Sequence, residues 1–524
     1  MRNLYLYGPP GSGKTTLGRI LAERLSLDFL DVDRLVEDEA GKAISAIFAE
    51  EGEIAFRARE KRALEKAAAK GGSVVALGGG ALLDPACRTC AEASGVVVCL
   101  DCTADELMAR VSKTPGTRPL VAGGAEAAAE RLRKLLATRQ VHYASFTRRL
   151  TTAGRSPEEL AAAAEVLFGA YQIISGDRPS HVMVGAGLID EVGAWAKLRG
   201  LGRRCVVVCD TNTAPRHGAR VQAALTAADI VATIATIPAG ERTKTILTVQ
   251  EIWRAFLAAG LGRGDFAVAV GGGVVGDLTG FAAATWMRGI RWVNVPTSLL
   301  AMVDASTGGK TGCDLAEGKN LVGAFHSPEI VLADVATLLT LPVREWRCGL
   351  AEMAKHTIIG DAEQMDQFGF FDFIKNLADE AVPADFADLD GLAAFVSRSL
   401  AVKVRVVRED PREKGVRAKL NLGHTVGHAV ETLTDYRVKH GEAVAIGTVE
   451  EARLAVRMGL APADWPDRVA ALFAGVGLPT ELPESLDFDA LRTVMLRDKK
   501  KEGNLVRFAL PIAPGDVSLV PVTL

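Results

Sequence analysis

Short apolar runs bounded by glycine and acidic residues recur along this chain and read as buried strands. Residues 4–7, 29–33, 74–77 and 96–100 form one set, and 205–209, 266–270 and 292–295 form another. Between them the spacing turns helical, as over 16–25. Ser156-Pro157-Glu158-Glu159 supplies an N-cap, a proline at the first helical position and an acidic first turn, opening an Ala-rich helix that runs to about Gly169. Beyond about Ala324 the pattern is mainly helical, and Glu352 and Lys355, three apart, fall on nearly one helix face. Strands alternating with helices predict an α/β fold on parallel sheets, with a helical part after it. No internal repeat is evident, and no Gly/Ser linker separates the halves near residues 168–174.

Glycine sits where several of these strands end. Gly8-Pro9-Pro10-Gly11-Ser12-Gly13-Lys14-Thr15 follows the first strand and matches the P-loop, G-x-x-x-x-G-K-[ST]. Backbone N–H groups around Gly8, Gly11 and Gly13 should cradle phosphates, Lys14 should reach the β- and γ-phosphates, and the Thr15 hydroxyl should hold Mg²⁺, with Thr16 beside it. That motif fixes nucleotide binding and leaves the reaction open, since a non-catalytic nucleotide sensor satisfies it too. Glycines 271–273 follow the strand 266–270 and lead to Gly276 and Asp277. Glycine there lets backbone N–H groups approach a pyrophosphate closely. A helical segment carrying Arg288 comes next, then Pro296-Thr297-Ser298, Asp304 and Gly308-Gly309-Lys310-Thr311. A glycine turn, two strand ends and a buried Lys310 point to a dinucleotide beside an anionic substrate, although the full G-x-G-x-x-G fingerprint is absent.

Two further patterns bear on metals. Cys87-x-x-Cys90 and Cys99-x-x-Cys102 have the spacing of a zinc ribbon or redox pair. Residues 96–100 read as a strand, so Cys99 and Cys102 should face opposite ways, and free, mostly buried thiols are expected instead. His424 and His428 stand at i, i+4, and spacing alone nominates them as a metal pair with a carboxylate from elsewhere.

The stretch from Gly271 to Asp314 resembles 3-dehydroquinate synthase, a member of the sugar-phosphate cyclases, and the resemblance continues from roughly Tyr171 to the C-terminus. It includes Pro238-Ala239-Gly240-Glu241-Arg242-x-Lys244, Asn421 to His428, and His440-Gly441-Glu442. The resemblance implies an NAD⁺ site at Asp210, Asn212, Glu241, Lys244, Gly273, Asp277, Thr297 and Ser298. It implies a Zn²⁺ or Co²⁺ ligand set of Glu352, His424 and His440, which makes His428 a substrate-site group. Substrate contacts fall to Arg288, Lys310, Lys319, Asn320, Lys403, Arg417 and one of Lys499 to Lys501, with Asp304, Lys310, Lys355, Asn421 and His428 in the catalytic group. Glu317 and Cys313 depart slightly from the family pattern.

The first third has its own signature. Asp31-Val32-Asp33, Gly52-Glu53-Ile54-Ala55-Phe56-Arg57-x-x-Glu60, Gly78-Gly79-Gly80, Arg118-Pro119-Leu120 and Arg139 before Tyr143 resemble shikimate kinase over about residues 1–168. The residue types suit that chemistry. Arg57 and Arg139 can clamp a carboxylate. Asp33, at a strand end, can bind ring hydroxyls and take a proton from one of them. Gly78, Gly79 and Gly80 let backbone approach the ring, and Arg118 stabilises charge on the phosphoryl group in flight. The resemblance also lays Arg110 against adenine. The expected organisation is a P-loop kinase domain over 1–170, a Rossmann-like NAD domain over 171–325, and a mainly helical metal- and substrate-binding domain over 326–524.

At 524 residues the chain holds about three or four domains' worth of sequence, taking about 150 residues each. A net charge of −3 gives no nucleic-acid or membrane-surface footprint. The N-terminus does not read as a signal peptide and no apolar run is long enough to span a bilayer, so cytoplasm is expected. The combined expectation is a bifunctional enzyme of aromatic biosynthesis, acting on shikimate with ATP and Mg²⁺ and on a heptulosonate phosphate, with a homodimer through the synthase part. The rivals are another sugar-phosphate cyclase or a polyol dehydrogenase, and a P-loop part that only regulates.

Overall fold

The computed structural model describes residues 1–111, 125–174, 178–315, 318–360, 388–496, 501–502 and 505–524. The chain divides into two compact units, Met1–Tyr171 and Gln172–Leu524.

In the first unit five strands, β1 (Asn3–Tyr7), β2 (Asp28–Asp31), β3 (Ser73–Ala76), β4 (Gly95–Asp101) and β5 (Arg149–Thr151), form a parallel sheet in the order β2-β3-β1-β4-β5. Every residue of β1 is buried, as a central strand covered on both faces requires. The P-loop therefore leaves the middle of the sheet, between the ends of β3 and β4. The strand expected over 29–33 stops short of Asp33. Strand β2 ends at Asp31, and Asp33 lies in the first turn of the helix Val32–Ala40. The Asp31 carboxylate accepts the Asp33 backbone N–H at 3.1 Å, and this N-cap turns the chain into helix two residues early.

The second unit is built on a seven-stranded sheet. Its strands are β6 (Ala170–Ile174), β7 (Pro179–Gly185), β8 (Arg204–Asp210), β9 (Val231–Ile237), β10 (Phe266–Gly271), β11 (Arg291–Pro296) and β14 (Ile330–Asp334). The order is β6-β7-β14-β11-β10-β8-β9. The chain runs outward from β8 to β9, then returns to the other side of β8 for β10. The crevice at the carboxyl ends of β8 and β10 is thus a switch point, the place where open α/β sheets receive ligands. Thr213 Oγ1 donates to the Val270 carbonyl at 2.9 Å and ties the two ends together. The strands β12 (Lys310–Leu315) and β13 (Gly318–Phe325) pair as an antiparallel hairpin.

The part beyond Ala324 is mainly helical but not wholly so: β14 is an interior strand of the sheet, and β15 (Lys501–Glu502), β16 (Leu505–Ala513) and β17 (Asp516–Thr523) make an antiparallel sheet. The helix Val343–Ile359 is buried without a break from Cys348 onward, so it is a core helix rather than an amphipathic one. All eight cysteines are free and seven are buried, with the Cys99 thiol pushed up to about 12 by burial.

Candidate active sites

The first site gathers around the P-loop and the 78–80 glycine turn. Lys14 Nζ donates to the Gly8 and Pro9 carbonyls at 2.8 and 2.9 Å, and Thr15 Oγ1 donates to Asp31 Oδ2 at 2.9 Å. Arg110 reaches the same region, 3.4 Å from the Ser12 carbonyl and 3.1 Å from Thr152 Oγ1. Glycine at 78 and 80 is required by what surrounds it. A Cβ on Gly78 would lie 2.2 Å from Glu60 Oε1 and 3.2 Å from Asp33 Oδ1, and one on Gly80 would lie 2.8 Å from Arg57 Nη2. Asp33, Arg57 and Glu60 thus line one turn. The Gly79 carbonyl accepts from Arg139 Nη1 at 3.0 Å and from Tyr143 Oη at 2.7 Å, which brings the second arginine to the same place. Sequence reasoning assigned no role to Glu60 or Asp31. Glu60 is buried and pairs with Arg57 at 2.6 Å. Burial raises its pKa, and Arg57 opposes that rise. Its i, i+3 spacing from Arg57 was the available signal. Arg118 lies outside the described residues.

In the second unit the switch-point crevice carries a helix, Gly273–Thr285, that opens with no side-chain cap. Its first N–H groups are therefore open to an anion. Asp277 sits one turn in, and Lys244 Nζ stands 2.7 Å from both Asp277 Oδ2 and Asn320 Oδ1. Burial works against the Lys244 ammonium, but Asp277 and Glu241 outweigh it and raise its pKa. The Asp210 carboxylate accepts the backbone N–H groups of Asn212 and Thr213 at 2.9 and 2.8 Å, shaping the turn after β8. Thr297 is buried with its N–H on the Gly271 carbonyl, and Ser298 Oγ is the nearest atom to a Cβ on Gly272, at 3.3 Å.

The helical part adds the charged core. Glu352 and Lys355 are fully buried on one face of Val343–Ile359 and paired with each other, while Lys355 Nζ also donates to the Leu420 carbonyl at 2.9 Å. Glu352 Oε1 stands 3.9 Å from His424 Nε2 and 3.6 Å from His440 Nε2. Ligand atoms of Glu352, His424 and His440 lie within 4.8 Å of one another, and so do those of His428, Glu431 and His440. His424 and His428 stand ring to ring at 5.2 Å. His424 Nδ1 faces the Leu422 carbonyl at 3.0 Å, which leaves Nε2 to the cluster.

The remaining cations have separate surroundings. Lys403 Nζ binds Asp304 Oδ1 at 2.7 Å; burial opposes the Asp304 charge, yet Lys403 and Lys355 hold its pKa well below the ordinary value. Arg417 is buried on the Pro411 and Gly308 carbonyls at 2.6 and 3.1 Å, and Gly308 has φ +102° with room for no Cβ beside the guanidinium. Lys310 is half exposed rather than buried, because it reaches out of β12 to pair with Glu413. Glu413 also accepts from Asn421 Nδ2 at 2.7 Å, so this glutamate, which no sequence signal singled out, joins Lys310 to Asn421. Lys319 pairs with Glu241 at 3.2 Å and Glu431 at 3.0 Å. Arg288 is exposed at a left-handed turn, and among the described residues no hydrogen bond or ion pair joins it to this group. Lys499 and Glu317 lie outside the described residues.

Fold and sites together define a two-site enzyme, a P-loop kinase followed by a unit of the sugar-phosphate cyclase type. Family models match in that order: shikimate kinase over 10–167, 3-dehydroquinate synthase N-terminal over 234–348 and 3-dehydroquinate synthase C-terminal over 349–501. The chain belongs to the 3-dehydroquinate synthase family and carries a shikimate kinase domain ahead of it. The 3-dehydroquinate synthase of Synechococcus sp. is 47% identical over 342 residues, 65% of this chain and 91% of the relative. A 2-deoxy-scyllo-inosose synthase solved with carbaglucose-6-phosphate, NAD⁺ and Co²⁺ matches at TM-score 0.61 and 26% identity, over 68% of this chain and 96% of that one. ValA, a 2-epi-5-epi-valiolone synthase from Streptomyces hygroscopicus with NAD⁺ and Zn²⁺ bound, matches at TM-score 0.57 and 28% identity, over 66% and 92%.

Proposed function

We propose that the first unit transfers the γ-phosphoryl group of ATP to the 3-hydroxyl of shikimate. The second converts 3-deoxy-D-arabino-heptulosonate 7-phosphate to 3-dehydroquinate and phosphate. The 47% identity to a 3-dehydroquinate synthase, against 26% and 28% to the other two cyclases, favours this substrate over theirs.

In the kinase, Lys14 binds the phosphates and Thr15, beside Asp31, holds Mg²⁺. Asp33 accepts the proton of the attacking hydroxyl. Arg57 and Arg139 clamp the shikimate carboxylate, the glycine turn 78–80 seats the ring, and Arg118 neutralises charge on the transferring group. Arg110 packs on the adenine.

The observation that carries the synthase reading is Glu352. Its Oε2 is paired with Lys355, while Oε1 is buried without a hydrogen-bond partner and has two imidazoles aimed at it. A buried carboxylate oxygen left so is costly unless a further positive group completes it. Two nitrogens and one oxygen with an open position suit Zn²⁺, and Co²⁺ accepts the same donors. The uncapped helix start at Gly273, with Asp210, Asn212, Glu241, Lys244, Asp277, Thr297 and Ser298, suits NAD⁺. When bound, the metal supplies Lewis-acid polarisation and NAD⁺ a reversible hydride acceptor. Lys310, Lys319, Lys403, Arg417, Arg288 and Lys499 neutralise the two anionic ends of the substrate, and Asp304 and Asn320 hold its hydroxyls. Lys355 keeps Glu352 ionised. Asn421 and His428 bind the leaving phosphate, with His428 moving its proton.

No helix among the described residues is long and apolar enough to cross a membrane. We place the chain in the cytoplasm, which its buried free thiols support. We also expect it to be a homodimer through the synthase unit, supported by the exposed Leu315, Leu321 and Phe325 of the β12–β13 hairpin. The deciding assay incubates the chain with each substrate and follows ADP and phosphate. Shikimate-independent ADP formation would leave a mere nucleotide hydrolase, and net NADH accumulation would mark a polyol dehydrogenase.

A further inference from the structure

Glu431 takes no part in the roles assigned above, yet it is buried on the helix His424–Leu433, one turn after His428. Its two oxygens do different things. Oε1 accepts from Lys319 Nζ at 3.0 Å, and Oε2 faces His440 Nδ1 at 3.4 Å. The opposite nitrogen of the same ring, Nε2, is the one 3.6 Å from Glu352 Oε1. The His440 imidazole is therefore held between two carboxylates, one at each nitrogen. With a proton on Nδ1 directed to Glu431, the ring keeps its Nε2 lone pair for a metal held beside Glu352 and His424. His424 achieves the same orientation through a neutral carbonyl, that of Leu422. The two histidines thus have unequal anchors, and a carboxylate acceptor makes its imidazole the stronger donor.

We infer that Glu431 is a positioning residue for the metal centre: it fixes the ring orientation of His440 and couples that ring, through Lys319, to the nucleotide-loop residue Glu241. The inference rests on the reading of Glu352, His424 and His440 as ligands. The rival use of the same atoms is a second metal among His428, Glu431 and His440, whose ligand atoms also lie within 4.8 Å. The Lys319 ammonium 3.0 Å from Glu431 speaks against it, since a second cation there would face one already in place.

The test uses the full chain as Glu431→Gln, which keeps the shape and removes the charge, and as Glu431→Ala, with His424→Ala alongside. Zn²⁺ affinity is measured by chelator competition, metal content by elemental analysis, and ligand geometry by the visible spectrum of Co²⁺-loaded protein. The expected result is a Zn²⁺ affinity about 10- to 100-fold weaker in both Glu431 variants. Shifted Co²⁺ bands in Glu431→Gln and an emptied site in His424→Ala should accompany it. Parental affinity and unshifted bands in folded Glu431→Gln, with His424→Ala emptied, overturn the inference and leave the ligand set standing. Metal retained by His424→Ala overturns both. Two metals in the parent, one of them lost in Glu431→Ala, replace positioning with a second metal site.

Discussion

The guanidinium of Arg57 is held 2.6 Å from the buried carboxylate of Glu60, at the rim of the glycine turn that Asp33 also reaches. Arg57 is therefore aimed by a partner that solvent does not screen. Glu60→Gln keeps the shape and loses the charge, so shikimate should bind about tenfold more weakly, equivalent to about 1.4 kcal/mol, with the KM for ATP unchanged. Steady-state kinetics in both substrates checks this; equal rises in both KM values would mean general distortion of the unit.

Asp33→Asn leaves the P-loop intact and removes the proposed proton acceptor. Phosphoryl transfer should fall by about 10²- to 10⁴-fold while ATP binding is nearly unchanged and the synthase is untouched. Arg57→Ala should mainly weaken shikimate binding. Turnover of shikimate at the parental rate by Asp33→Asn would remove Asp33 from the site.

His428→Ala should keep one metal per chain and lose phosphate release. A chelator should silence the synthase while the kinase recovers fully on addition of Mg²⁺. Metal content measured beside both activities separates these outcomes, and a metal-free His428→Ala protein would restore the pair that spacing alone nominates.

In the proposed assignment each unit carries its own site, and the product of the second unit is not the substrate of the first. Residues 1–171 and 172–524, expressed separately, should each retain their own activity. Assay of the two soluble fragments decides it: a folded, inactive kinase fragment would show dependence on the remainder.

Buried histidines should contribute to the acid sensitivity of the second unit. Burial lowers the pKa of His217 and His326, and burial with the Lys355 ammonium pushes His356 down to about 4. All three fold neutral, whereas the unfolded chain binds their protons below about pH 6.5. Their stability contribution is thus fully present above that pH and is lost as pH falls toward the folded values. The melting temperature should drop between about pH 7 and pH 5, and His326→Gln should flatten that drop. An identical slope in the variant would assign the acid sensitivity to carboxylates.

Strand and helix identity was legible because buried parallel strands read as apolar runs, as at Phe266–Gly271. The exceptions have local causes. Asp31 caps a helix and draws Asp33 into it, and Lys310 escapes burial by pairing with Glu413. Motif and family pattern could name Glu352, His424 and His440, residues far apart in sequence. They could not name Glu413 or Glu431, whose significance lies in what two side chains share: Lys310 with Asn421, and Lys319 with His440. Such convergence is a property of packed space and leaves no periodic trace.

Lys14 spends its charge on its own loop, bonded to the carbonyls of Gly8 and Pro9. An incoming anion must outbid two hydrogen bonds already made. A lone monovalent anion offers too little in exchange, whereas a polyphosphate engages the ammonium and the backbone N–H groups at once. The loop is therefore expected to favour a chelating chain of phosphates over a single small anion.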